Sequence, residues 1–399
     1  MTPVGTVDMR GLFRDLELTH CPRIFALNRL RPSRTGRAIH RIRRAALRGH
    51  GEVDDPHASL RTLRAELASV LRTARTFVEA GVPSPRAHRV ALSLALSGHA
   101  PRDYAHAISG FPRDPFAYLT RADTKARGRS LYRRVRQPQA NRHAPLTDKL
   151  RFAEHAATHG IPVPATFGPV RSVEELTTLP SGTYVLKPRG GKGGREITML
   201  TLPSDGPDSA EVAARVAGGP AFILQERVEN HPALASLGVR ATLTVRTLTA
   251  QDVSGSLVVL RAALRIPADP DALVDNLHQR GMAAAVDLAT GTLRPAYQLY
   301  GTEPFPTHPA TGAPIAGLQL PGWEDVRTTA LRAHAAFSSH VFVGWDIAIT
   351  PDGPQVLEGN AQPGLDALQR SEGAPLGRSD FALIAAGWLG AGAGDGPRR

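Results

Sequence analysis

Residues 344–360 read GWDIAITPDGPQVLEGN, two stretches of alternating apolar and polar positions separated by Pro351-Asp352-Gly353-Pro354. Period-two alternation predicts half-buried strands, and the Pro-Asp-Gly cluster predicts the turn joining them, so the stretch reads as an antiparallel hairpin. A hairpin centred on Asp352 leaves Asp346 and Glu358 equidistant from the turn and directly opposed, with Cβ atoms about 4.5–5.5 Å apart. Asn360, two residues beyond Glu358, shares that face. Two carboxylates and an amide oxygen gathered there are hard donors suited to magnesium. The plainer alternative is an acidic pair at a solvated sheet edge.

Upstream, residues 184–200 read YVLKPRGGKGGREITML. A strand delivers Lys187 three residues before Gly190-Gly191-Lys192-Gly193-Gly194, and a second strand returns from Ile197. Backbone N–H groups in so glycine-dense a turn can converge on an anion while Lys187 adds a point charge, which predicts a phosphate-covering hairpin. The spacing lacks the Gly-Lys-Ser/Thr ending and following helix of a Walker A loop. An ordinary glycine hairpin with exposed Lys192 is the alternative. About thirty residues on, FILQERVENHPAL (222–234) ends a buried-looking strand at Gln225 and Glu226. Such a strand end can meet an adenine edge with Val228 against the ring, or be a strand capped by solvated polar groups.

Beyond these motifs, TDKLRFAEHAATHG (147–160) predicts a helix with Thr147 as N-cap and Gly160 as terminator. The runs at 241–249, 255–267 and 342–350 alternate as antiparallel strands. Residues 9–50 and 57–110 carry apolar residues at helical spacing, and the tail GAGAGDGPRR reads as disordered. These patterns divide the chain into a basic, mainly helical region over 1–140, an α+β domain over 141–390 and a tail at 391–399. Within the α+β domain the glycine turn belongs to a subdomain of about 150–225 and the acidic hairpin to one of about 226–390.

The 399 residues carry a net charge of +12, unevenly placed. Residues 1–150 hold 28 Lys+Arg against 12 Asp+Glu, a balance of +16, and the remainder holds 20 against 24, or −4. The basicity therefore belongs to the N-terminal region. Its densest run, Arg121–Arg136, reads as a solvated helix face or a surface for an acidic partner; no aromatic platform or nucleic-acid motif accompanies it. Of the 48 basic residues only Lys125, Lys149, Lys187 and Lys192 are lysine. In a chain so biased to arginine, a retained lysine marks a place for a compact ammonium, such as one against a phosphate. The single Cys21 forms no internal disulfide, and with no apolar run of about 18 residues and no signal-like start the expected compartment is the cytoplasm.

Asp148-Lys149, Val185-Leu186-Lys187-Pro188, the glycine turn, Gln225-Glu226 and Asp346…Glu358-Gly359-Asn360 occur in the order and spacing of the ATP-grasp superfamily, which the chain resembles over about residues 141–385. The segments GVRATLTVRTLT (238–249), LRAALRIP (260–267), VDNLHQRGMAAAVDLATG (274–291) and HPATGAPIAG (308–317) are most similar to its sugar-transfer-associated branch. The resemblance implies an ATP-grasp fold, two α+β subdomains clasping ATP. It places Lys149, Lys187 and Gly190, Gly191, Gly193 and Gly194 on the phosphates. Gln225, Glu226 and Val228 would face adenine, Glu229 or His231 the ribose, and Asp346, Glu358 and Asn360 would hold magnesium, expected as two ions. Ligases of this type often carry an arginine two residues before the metal aspartate; here that position is Gly344, and Arg246 can supply the missing cation. Arg265, Asp275, Asn276, His278 and His308 are the candidates for the second substrate. The implied activity joins a small-molecule carboxylate to an amine through an acyl phosphate. A phosphotransferase acting on a hydroxyl, or a non-catalytic nucleotide-binding protein with an acidic partner, are the alternatives. Oligomeric state is not readable.

Overall fold

The computed structural model describes residues 131–135, 146–172, 175–176, 179–190, 197–202, 221–275, 277, 281–298 and 303–393, with isolated positions between 68 and 119. The helical reading of the N-terminal region, apart from helical positions scattered over 68–91 and the short helix Leu131–Arg134, lies outside the described residues, as do Cys21 and residues 121–130 and 136 of the Arg121–Arg136 run. Two compact units partition the chain. One comprises residues 132–299 and 303–372; the other comprises 1–131, 300–302 and 373–399 and contains the helix Asp380–Ala393. That helix runs three residues into the stretch read as a disordered tail; its alanine content favours helix there.

In the larger unit, past the short helix Leu131–Arg134, comes helix α1, Lys149–Thr158. Its N-cap is Asp148, not Thr147: the Asp148 carboxylate accepts from the N–H groups of Leu150 and Arg151, the capping bond a carboxylate one residue later makes equally well. Gly160 at φ +63° ends the helix as the sequence predicts. Four antiparallel strands follow, β1 (Thr166–Val170), β2 (Gly182–Pro188), β3 (Thr198–Leu202) and β4 (Phe222–Glu226), in spatial order β1-β4-β2-β3. Tyr184, Leu186, Leu200, Leu202, Phe222 and Leu224 form a core on one side of this sheet. Alternation puts Val185, Lys187 and Gln225 on the other.

The second sheet has seven antiparallel strands ordered β11-β10-β5-β6-β7-β8-β9: β5 (Thr244–Gln251), β6 (Leu257–Ile266), β7 (Met282–Val286), β8 (Leu293–Gln298), β9 (Pro304–Phe305), β10 (Phe342–Thr350) and β11 (Gly353–Asn360). The short helix α2 (Pro232–Ala235) precedes it, and α3 (Trp323–Ala336) packs on one face. There Val245, Leu264, Trp345, Ile347 and Val356 meet Val326, Ala330 and Phe337. Its polar centre is Thr249, whose hydroxyl receives the Trp345 indole N–H at 2.8 Å and lies 2.7 Å from His334 Nδ1, while His334 Nε2 donates to the His340 carbonyl at 2.7 Å. The opposite face carries Arg246, Arg265, Asp346, Glu358 and Asn360.

Register decides which residues reach that face. The turn is tighter than a hairpin centred on Asp352: Thr350 pairs with Gly353, Ile349 with Pro354 and Ile347 with Val356. Leu357 is then an extra residue, a β-bulge, after which Asp346 pairs with Glu358 and Gly344 with Asn360. The expected carboxylate pair is present, set by the bulge and not by hairpin symmetry. Gly359 between the two polar residues faces the core, where a Cβ would stand 2.6 Å from Trp345 Cζ3 and 2.7 Å from Leu146 Cδ2.

Candidate active site

The two sheets bring four sequence motifs together. Lys187, at the end of β2, is buried and donates to Gln225 Oε1 at 2.7 Å; Gln225 Nε2 in turn donates to Thr166 Oγ1 at 3.0 Å. This chain fixes both side chains on the face away from the Tyr184 core. Burial drives the Lys187 ammonium down to about 8, against the pull of Glu358 and Asp346, and the Lys149 charge adds to the fall. Lys149, the first residue of α1, is likewise lowered by burial and held up by Glu358 and Asp148. Both lysines thus sense Glu358, although α1 and β2 lie far from it in sequence.

Across from them Asp346 is clasped by two arginines. Arg246 donates from Nε to Oδ1 at 2.5 Å and from Nη2 to Oδ2 at 2.9 Å, and Arg265 Nη1 reaches Oδ2 at 3.0 Å. Burial opposes the charged carboxylate, but the two guanidiniums outweigh it and hold Asp346 at about 2. Burial and then the adjacent Asp346 push Glu358 the other way, upward. Asn360 Nδ2 donates to Glu358 Oε1 at 3.2 Å, and an amide oxygen is an acceptor. Arg265 continues to Asp275, with Nη2 2.9 Å from Oδ1, and Asp275 also accepts from the Thr244 N–H at 3.2 Å and from its hydroxyl. Burial raises Asp275 while Arg265 pulls it back.

Not every expected residue joins this group. Gly191, Gly193, Gly194, Asn276 and His278 lie outside the described residues. His308 stands apart: it is buried, its Nε2 donates to the Pro267 carbonyl at 2.8 Å, and its Nδ1 accepts from the N–H groups of Ala310 and Thr311. Those bonds pin a turn and leave the ring no lone pair for a ligand. His231 caps α2 through Nδ1. Glu226 follows Gln225 and so points to the opposite side, where with Phe167, Pro180, Tyr184, Arg227 and Glu229 it lines a cavity of ≈ 340 Å³. The Val228 carbonyl accepts from the Thr242 hydroxyl at 2.9 Å. Sequence reasoning missed Thr166, Arg189 and the Leu357 bulge: the first two depend on partners distant in the chain, and the bulge on a turn tighter than the Pro-Asp-Gly-Pro signal implies.

A sequence model of the family described as sugar-transfer associated ATP-grasp matches residues 127–379. The chain belongs to that family. ATP binding and ligase-type chemistry are the general description that membership in this ATP-grasp family carries. No curated protein matches. Among solved structures, D-cycloserine synthetase DcsG is 23% identical, over 61% of this chain and 70% of that one, with a TM-score of 0.39. D-alanine–D-alanine ligase from Bacillus anthracis is 14% identical over 64% and 72%, at 0.38. N5-carboxyaminoimidazole ribonucleotide synthetase from Thermotoga maritima is 15% identical over 55% and 42%, at 0.34, so this chain spans less than half of that one. At such TM-scores these likenesses add nothing to the family match.

In this ATP-grasp chain Gly344 stands at the position where the resemblance leads one to expect arginine. A Cβ there would stand 2.9 Å from Pro363 Cβ and 3.5 Å from Arg246 Cδ, so the stem of Arg246 already runs over the position where the usual arginine would begin. Among the described residues no three His, Cys, Asp or Glu side chains are placed together to hold a metal ion, and no helix is long and apolar enough to cross a membrane. The candidate metal set is therefore two carboxylates and an amide. It fits magnesium: all donors are oxygen, and two carboxylates forced together in a buried site are stabilised by a divalent cation.

Proposed function

We propose that this ATP-grasp protein is an ADP-forming carboxylate–amine ligase that makes an amide through an acyl phosphate. The observation that carries the reading is the convergence of Lys149 and Lys187 on the face that holds Asp346, Glu358 and Asn360, with Arg246 and Arg265 beside them. Lys149 and Lys187 hold phosphate oxygens, with Gly190 to Gly194 covering them. Gln225 and Val228 face the adenine, Gln225 in a fixed rotamer through Thr166. Asp346, Glu358 and Asn360 hold magnesium, expected as two ions, which when bound neutralises charge on the β- and γ-phosphates. Arg246 and Arg265 present guanidinium donors to the anion that develops as the substrate carboxylate attacks the γ-phosphorus and ADP leaves. The amine then attacks the acyl carbon and phosphate departs. The residues position and neutralise; none forms a covalent bond. Asp275 orients Arg265, and Asn276 and His278 remain candidates for second-substrate recognition. The proposed setting is the synthesis of a cell-envelope polysaccharide or a peptide-like metabolite.

The test is an ADP-release screen over pooled carboxylates and amines followed by product analysis. The ligase reading expects ADP only when both partners are present, with inorganic phosphate and an amide as products. A stable phosphate ester from a hydroxyl substrate would replace it with a phosphotransferase.

A further inference from the structure

Arg189 follows Lys187 by two residues and adjoins Gly190, where its sequence position makes it an obvious phosphate-binding cation. Its guanidinium is committed elsewhere. Nε donates to both oxygens of Asp148 at 2.9 and 3.0 Å, and Nη2 lies 2.8 Å from Oδ2. The backbone is fixed as well: Arg189 N–H donates to the Ala221 carbonyl at 2.8 Å, and its carbonyl accepts from Lys149 N–H at 3.0 Å. Asp148 meanwhile caps α1, whose first residue is Lys149. One ion pair and one backbone bond therefore tie the start of the Lys149 helix to the end of the Lys187 strand.

The two ammonium groups are like charges, and that of Lys149 disfavours the charged form of Lys187. Gln225 holds the Lys187 ammonium from β4, so the spacing of the pair depends on how the start of α1 is set against the end of β2. We propose that Asp148 and Arg189 form a positioning clamp that sets the spacing of Lys149 and Lys187 and thereby the affinity for a triphosphate. The inference rests on the ATP reading above. Side-chain exposures of 29% and 27% mean that the pair adds little to folding. A bidentate fork still fixes orientation, and binding to a preorganised pair of cations loses less freedom.

Asparagine caps helices as well as aspartate, so Asp148→Asn removes the ion pair and keeps the cap. Its melting temperature is expected within about 2 °C of wild type. Calorimetric titration with Mg–ATP should show binding about tenfold weaker for Asp148→Asn and for Arg189→Gln. The double variant should be no weaker than either single one, because both remove the same clamp. Single variants that bind like a binding wild type, or losses that multiply in the double variant, overturn the clamp and leave the ATP reading standing. A wild type that does not bind Mg–ATP overturns the ATP reading, and the clamp with it.

Discussion

Asp346 and Glu358 face each other across the β10–β11 ladder because Leu357 is one residue too many for the hairpin. With the turn as tight as it is, an unbulged ladder would set Leu357 against Asp346 and turn Glu358 towards Trp345 and the core. The bulge re-aims one side chain, a recurrent use of bulges beside functional sites. Gly359 completes the arrangement, since only a residue without a side chain passes beneath the Trp345 ring. Gly359→Ala is expected to cost about 1–3 kcal/mol through overpacking and to weaken Mg–ATP binding by displacing the residues on either side. Denaturant titration and calorimetry of the same variant check both.

The two carboxylates should respond oppositely to neutralisation. Asp346→Asn leaves the guanidiniums of Arg246 and Arg265 without their shared buried partner, a loss of about 3–5 kcal/mol. Glu358→Gln removes a like charge that burial and Asp346 already disfavour, and its stability is expected at or above wild type. Urea titration of the two variants distinguishes them; equal destabilisation would contradict the described charge pattern.

Lys187 gives a pH signature for nucleotide binding. Its ammonium is lowered to about 8, so above that pH the site loses a cation and Mg–ATP affinity should fall by up to about tenfold per pH unit. Nucleotide itself draws the pKa upward, so the midpoint of the fall lies above the value of the empty site. Lys187→Arg stays charged throughout and should lose that midpoint. Titrations from pH 7 to pH 10 test it; the same pH dependence in both proteins would remove Lys187 from the phosphate site.

His334 gives a second, structural signature. Burial depresses its ring from 6.5 to about 4, so between those values the unfolded chain binds the extra proton. Stability is therefore fully present above pH 6.5 and is lost as pH falls towards 4, about 1.4 kcal/mol per unit and about 3 kcal/mol in all. The carboxylate of Asp346, held at about 2, contributes below this window. Chemical denaturation at intervals between pH 7 and pH 4 should show the slope in wild type and not in His334→Gln.

Much of the fold was legible because its signals are local. Short apolar runs predict β2 and β4, alternation predicts β5, β6 and β10, and Gly160 marks the end of α1. The Asp346–Glu358 pairing was reached from a symmetric hairpin, and the actual turn and bulge, two departures from symmetry, compensate one another. Less legible were the features set by partners distant in sequence. Thr166 orients Gln225 from another strand, Arg189 is captured by Asp148 instead of phosphate, and His308, in sequence a polar loop residue, is consumed by the turn it stabilises. Period and composition report which face a side chain takes, and say little about what has already claimed its hydrogen bonds.

The central claim is tested most directly by calorimetric titration of Mg–ATP into the wild-type protein and into the Asp346→Asn, Glu358→Gln double variant. Binding by the wild type that requires magnesium and disappears in the variant is the predicted result. Wild-type protein that fails to bind Mg–ATP, or a variant that binds it equally well, would contradict the assignment of these residues to a nucleotide–metal site.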